Sequence, residues 1–323
     1  MKRIALFLDG TWQSKSQNSN VYKMYKLCTD DSIIKYYDGG VGSTKSLWDK
    51  FSGGVFGSGV QTNIIEAYDF LKQHHEEGDE IFVYGFSRGA FTARSLVGFL
   101  DLVGLSGKHS KLSTKKLFNL YKERNYDVIS NLIVWEMTEH VKVQMIGAFD
   151  TVKSIGSPLN IGGINKKWKF HNSSLCENTK NAFHAIAINE RRDNFKPVLW
   201  TEKNDVQVVA QRYFAGDHCD IGGGHEGDDM ASLASLNWMI KKSIECGLTI
   251  NKSEEIQHVL LPEIHDSYDD MFFGLYSKLS KPYTRKIESS TLGVEIDYSV
   301  THRLKHDPKY KPVNLLTYLN HFS

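Results

Sequence analysis

The chain has 323 residues, of which 41% are hydrophobic and 24% charged, and its formal net charge is +1. That balance is globular and long enough to bury a full core, and it gives no charge argument for nucleic acid or an anionic membrane. Four cysteines, Cys28, Cys176, Cys219 and Cys246, form no CxxC pair, which removes the zinc-ribbon and redox-pair readings and leaves scattered reduced thiols.

The first apolar run, residues 3–8, is too short for a signal-peptide core and ends in Asp9. It reads as a buried strand. No stretch approaches the roughly 18 apolar residues that a membrane span needs. A soluble, cytoplasmic protein is expected, one that would meet a lipid from the water side. Residues 33–37 form a second strand, ending at Asp38-Gly39-Gly40. Apolar residues at helical spacing predict a helix over 62–77, with Thr62 as N-cap and Gly78 as its stop. A strand over 80–84 leads into a mostly buried helix over 88–103. Strands over 141–149 and 206–214 follow, then a helix over 230–245 with Gly247 past its end. Strands separated by helices predict an α/β fold, a mainly parallel sheet with helices on both faces. With six prolines and no linker or repeat, residues 1–323 read as a single domain. The pattern leaves residues 250–323 open, as a C-terminal extension.

Between the third strand and its helix stands Gly85-Phe86-Ser87-Arg88-Gly89. A sharp strand-to-helix turn would hold Ser87 strained with its Oγ exposed, and the residues two before and two after must be small because they approach each other. The spacing and context predict the nucleophile elbow of an α/β-hydrolase; a tight strand-to-helix turn with an incidental serine is the alternative. The serine also sits at a helix N-terminus, where free N–H groups can stabilise a developing oxyanion. In such folds one donor is the N–H after the nucleophile, here Arg88, and the other comes from the loop after an earlier strand. Counting back reaches Asp9-Gly10-Thr11-Trp12, so Gly10 or Thr11 would supply the second donor. Asp9 could brace that loop by accepting backbone N–H bonds, and is grouped with the residues facing substrate.

A serine hydrolase of this fold needs an acid and then a histidine later in the chain. Asp150 directly follows the 141–149 strand, where an orienting acid belongs. His218 follows the 206–214 strand in a glycine-rich turn, Gly216-Asp217-His218-Cys219-Asp220-Ile221-Gly222-Gly223-Gly224. His225 is a rival base, and Asp217 or Asp220 a rival acid. Asp217, His218, Asp220, His225, Asp228 and Asp229 also have metal-ligand chemistry, but their spacing matches no known ligand pattern. Neither a metal nor a cofactor is expected.

Several motifs along the chain together resemble the uncharacterised α/β-hydrolase domain family that includes the phospholipase effectors of type VI secretion and fungal relatives. They are Leu8-Asp9-Gly10-Thr11-Trp12, Tyr37-Asp38-Gly39-Gly40-Val41-Gly42, and Gly85 through Arg94. Phe149-Asp150-Thr151-Val152 and Ala187-Ile188-Asn189-Glu190-Arg191-Arg192, with Phe195 and Pro197, follow. Phe214 through Gly224 and Ser299-Val300-Thr301-His302-Arg303-Leu304, with Tyr310 and Pro312, complete the set. The resemblance implies a triad at Ser87, Asp150 and His218, ester cleavage in glycerophospholipids, and delivery by a specialised secretion system. The chain departs from the family at Asn189, where aspartate is frequent, and at Asp297-Tyr298, where His-Pro is frequent. The larger secreted effectors carry a membrane-engaging domain, and none is expected within these 323 residues.

Residues 43–59 are rich in glycine and serine, with Leu47, Trp48, Phe51, Val55 and Phe56 interleaved. They would form either a lid or acyl-chain wall over Ser87, with Trp48, Phe51 and Phe56 touching substrate, or a surface loop pinned by its aromatics. Three functions follow: a lipolytic serine hydrolase with peripheral membrane contact, an esterase or thioesterase for small soluble substrates, or a binding module that keeps the fold without turnover. No nucleic-acid partner is expected.

Overall fold

The computed structural model describes residues 1–10, 18–40, 54–135, 137–152, 174–225, 227–251, 261–270, 277–278, 280–288 and 291–319. Seven strands form one sheet: β1 (Arg3–Leu8), β2 (Ile33–Asp38), β3 (Glu80–Phe86), β4 (Val143–Phe149), β5 (Thr179–Ala187), β6 (Val208–Phe214) and β7 (Val294–Ile296). Their order is β2-β1-β3-β4-β5-β6-β7, and every pair is parallel. This is an α/β-hydrolase fold.

Period-two alternation divides the core between the two faces of the sheet. Ile4, Leu6 and Leu8 of β1 and Ile81 and Val83 of β3 pack with the helices Gly54–His74 and Arg88–Val103. Ala5, Phe7, Phe82, Tyr84 and Phe86 pack on the other face, against the helices Asn20–Leu27 and Ser232–Glu245. Both faces of the central strands are covered, so β3 is apolar along nearly its whole length rather than alternating. The helix Arg88–Val103 has the expected bounds. The helix expected from residue 62 begins earlier, at Gly54, so Thr62 lies inside it rather than at its cap. Glycines at 54, 57 and 59 lower helix propensity there, but burial of Val60 with Ile64, Ala67 and Leu71 carries the helix through them. Part of the expected 43–59 loop is therefore helical. Among the described residues no helix is long and apolar enough to cross a membrane.

Two strands carry no clear sequence signal. β5 reads Thr-Lys-Asn-Ala-Phe-His-Ala-Ile-Ala, poor in β-branched residues, yet it lies between β4 and β6 and is buried except at Lys180. Its place in the sheet overrides its propensity. β7 is a three-residue edge strand from the C-terminal stretch. That stretch also packs Ile287, Val300, Tyr310 and Leu315 onto Ile186, Ile188 and Tyr213. The described part of this stretch thus packs against the β5–β6 end of the sheet.

Candidate active site

The carboxyl ends of parallel strands are where α/β folds gather ligands, and the residues singled out in the sequence meet there. β1 pairs directly with β3, Leu8 opposite Gly85, so the Asp9–Gly10 loop lies beside the Ser87 turn. Ser87 has φ 57° and ψ −119°, a sparsely populated backbone region for a residue with a side chain. Its N–H donates to the Phe149 carbonyl at 2.9 Å. It caps the helix Arg88–Val103 without a side-chain hydrogen bond, leaving Oγ to point elsewhere.

The glycines of the motif are required by close approach. A Cβ on Gly85 would come within 2.5 Å of the Gly89 carbonyl oxygen, and one on Gly89 would enter the Leu8 carbonyl oxygen. Because backbone is the obstacle, Gly89→Ala is expected to destabilise the fold by about 3 kcal/mol, at the upper end for overpacking. A denaturant melt checks this; an unchanged midpoint would mean that the strand–helix approach is looser than described.

His218 stands at the start of the short helix His218–Gly222, after β6. Its Nε2 is 2.8 Å from Ser87 Oγ and its Nδ1 is 2.6 Å from Asp150 Oδ2. With the proton on Nδ1, Nε2 is free to accept the serine hydroxyl proton. The ring sits between Phe86, at 4.8 Å between centroids, and the edge-on Phe195 at 4.9 Å. Phe195 in turn lies under the Arg192 guanidinium, 3.6 Å from its centroid. Arg192 forks onto Glu190, and a Glu190 oxygen accepts the His218 N–H at 3.3 Å. Burial pushes the Glu190 carboxyl up, but the Arg192 charge outweighs it and holds the group below its ordinary value.

Asp150 is fully buried and its backbone has φ 40°. Nothing in the sequence marks its partner Arg285, also fully buried, which forks onto both carboxylate oxygens at 2.5 and 2.9 Å. The Ala187 N–H adds a third kind of donor at 3.0 Å. Burial alone would raise this carboxyl; the Arg285 charge and the hydrogen bonds from His218 and Arg285 overcome it and hold the group well below the usual carboxylate range. Behind it, His184 Nε2 accepts the Thr151 N–H at 2.9 Å. Burial and the Arg94 charge push His184 down to about 3, so it is a neutral acceptor.

The loop after β1 is braced as the sequence suggests. Asp9 is buried and accepts from Gly10 N–H at 2.8 Å, from Tyr37 OH at 2.9 Å and from Ser19 Oγ. All of these engagements lie within the protein, so among the described residues Asp9 acts as a brace. The Gly10 N–H is likewise engaged by Asp9. Thr11, Trp48 and Phe51 lie outside the described residues; Phe56 lies in the first turn of Gly54–His74. The sequence also missed Asn20, whose amide donates to the Ile221 and Ser232 carbonyls and so ties the first helix to the His218 turn.

The rival residues are placed elsewhere. Asp217 caps the His218 helix in a reciprocal box with Asp220, and His225 lies against both carboxylates rather than against Ser87. With His265, Asp220 and His225 form a group of potential metal ligands behind the His218 turn. All four cysteines are free.

Residues 2–242 match the family described as T6SS, Phospholipase effector Tle1-like, catalytic domain. "Uncharacterized protein YEL023C" of Saccharomyces cerevisiae is 30% identical over 340 residues, covering 91% of this chain and 48% of that protein. The chain thus spans about half the length of the curated relative it matches. An uncharacterized protein from Pseudomonas aeruginosa superposes with a TM-score of 0.52 at 16% identity, over 77% of this chain and 46% of that one, which speaks for the fold. A structure of the Tle1 effector bound to the VgrG spike of type VI secretion gives 0.38 at 18% identity, over 71% and 52%. By the match over three-quarters of its length, the chain belongs to the family of Tle1-like phospholipase effector catalytic domains of type VI secretion.

Proposed function

We propose that this protein is a serine hydrolase that cleaves carboxylic ester bonds of glycerophospholipids. Ser87 is the nucleophile, His218 the general base and acid, and Asp150 the residue that orients and stabilises the imidazole. The observation that carries the reading is the hydrogen-bonded line Ser87–His218–Asp150, built on a turn that strains the serine. Ser87 Oγ attacks the ester carbonyl carbon and its proton passes to His218 Nε2. The tetrahedral oxyanion is held by the Arg88 N–H, and, because the Gly10 N–H is engaged by Asp9, by the Thr11 N–H rather than that of Gly10. The bond to the alcohol breaks, and the alcohol leaves with the proton from His218. Water then attacks the acyl-serine, gives a proton to His218, and the fatty acid is released as Ser87 recovers its own.

The lipid part of the reading rests on the family, the ester chemistry on the geometry. Incubation with a fluorophosphonate, followed by intact mass, is expected to give one adduct on the wild type and none on Ser87→Ala. Activity on phosphatidylcholine and phosphatidylethanolamine vesicles is expected to exceed that on short p-nitrophenyl esters. A labelled protein active only on the short esters would leave the serine mechanism and remove the phospholipid. A folded wild type that takes no label would remove the mechanism itself.

A further inference from the structure

The turn that carries His218 holds a second constellation, which the proposed ester chemistry does not use. Asp217 Oδ1 accepts the N–H groups of Cys219 and Asp220, and Asp220 Oδ2 accepts those of Asp217 and His265. These bonds fix two carboxylates side by side, each only 1% exposed. The remaining oxygen of Asp220, Oδ1, meets two imidazoles. His265 Nδ1 is 2.7 Å away and His225 Nε2 is 3.5 Å away. His225 Nε2 also lies 3.3 Å from Asp217 Oδ1. The two rings stand face to face with centroids 3.7 Å apart. One donor atom from each of Asp220, His225 and His265 lies within 4.8 Å of the others.

We propose that Asp220, His225 and His265 bind one divalent transition-metal ion of the zinc class, with Asp217 Oδ1 beside His225 as a further donor. A tetrahedral zinc with bonds of about 2.0–2.1 Å holds its donors about 3.3 Å apart. The Asp217–His225 and Asp220–His225 separations already have that span. The Asp220–His265 contact is a hydrogen bond and must open by about 0.6 Å to admit an ion, which the half-buried His265 can do by side-chain rotation. Two imidazole nitrogens among carboxylate oxygens suit zinc, cobalt or nickel, whereas calcium and magnesium want oxygen throughout. Two buried carboxylates in one turn repel each other, and a dication between them removes that cost.

The sequence could not show this site. Of the acidic and histidine residues clustered in the 217–229 stretch, His218 faces Ser87, Asp228 accepts the Met230 N–H, and Asp229 pairs with Lys23 at 2.6 Å. The third ligand comes instead from His265, in a different segment. That segment also docks through Ser267, whose N–H and hydroxyl donate to Asp217 Oδ2. An ion there would pin the segment to the turn that aims His218, without touching Ser87. Its role is structural, and no proton transfer passes through it.

The test uses the full chain without a histidine tag, stripped by chelator and titrated with zinc against a chromophoric competitor. One equivalent is expected to bind, and the Tm to rise by about 4 °C at zinc about 100 times Kd. His225→Gln and His265→Gln are each expected to weaken binding at least about 100-fold. The double variant His302→Gln/His306→Gln, on the half-exposed helix Tyr298–His306, is expected to bind as the wild type does. No stoichiometric binding, or binding lost only in the His302/His306 variant, would overturn the proposal. Should either ligand variant fail to fold, cobalt(II) bound to the wild type decides: an intense tetrahedral visible band supports the site, and a weak six-coordinate spectrum overturns it. The readout is the metal itself, so the result stands apart from labelling of Ser87.

Discussion

Ser87→Ala is expected to lower kcat/KM for ester cleavage by about 10⁴–10⁶-fold, the range seen when a triad member is removed. Ser87 Oγ is the atom in line with His218 Nε2, and it makes no capping bond to the helix that follows. Its loss should therefore leave stability within about 0.5 kcal/mol of the wild type. His218→Ala should cost activity to a similar degree, and the double variant little more than either, because the two groups act as a unit. Steady-state kinetics on an ester substrate, beside thermal melts, check all three. A folded Ser87→Ala that keeps a tenth of the activity would move the nucleophile elsewhere.

The second large effect is expected at Arg285. Arg285→Met leaves the Asp150 carboxylate buried with, among the described residues, His218 and the Ala187 N–H to hold it. Breaking a buried pair from one side costs about 3–5 kcal/mol. A misplaced Asp150 would also misaim His218, and kcat should fall about 100-fold with KM little changed. Arg285→Lys keeps the charge but not the fork, so it should recover only part of both. Asp150→Asn strands the guanidinium instead, and the double variant should lose less than the sum of the two. The linkage has a definite sign. Asp150 has a folded-state pKa depressed below its ordinary value, so its contribution is present above about pH 4 and is lost as pH falls below that. Arg285→Met should flatten this acid limb. Urea melts across pH read it, and an unchanged slope would show that Arg285 does not hold the carboxylate ionised.

The sequence was readable where one residue's role is local. The Ser87 turn announces itself because strand, glycines and helix are contiguous. The loop after β1 could be placed beside it because α/β connectivity brings an earlier strand alongside. Asp150 directly follows an apolar run and His218 stands in the glycine-rich turn just past another, and the structure brings both to Ser87. What stayed hidden depends on partners far away in the chain. β5 has the composition of a helix or loop and is a strand because β4 and β6 flank it. Arg285 sits among polar residues with nothing local to mark it as buried. His265 looks like any of thirteen histidines until the fold carries it to Asp220. Asp9 was recognisable as a brace, but that the same brace would occupy the Gly10 N–H needed coordinates.

The clamp on Asp150 also bears on when the site comes into being. Ser87, Asp150 and His218 leave the ribosome in that order, and Arg285 follows them all. Chains fold largely from the N-terminus as they are made, so a nascent chain can hold all three side chains while the acid still lacks its guanidinium. Competence then waits for the C-terminal stretch to dock through β7 and the core beneath it. On the proposed triad, a chain that ends before Arg285 is expected to lack ester cleavage even though Ser87, Asp150 and His218 are all present.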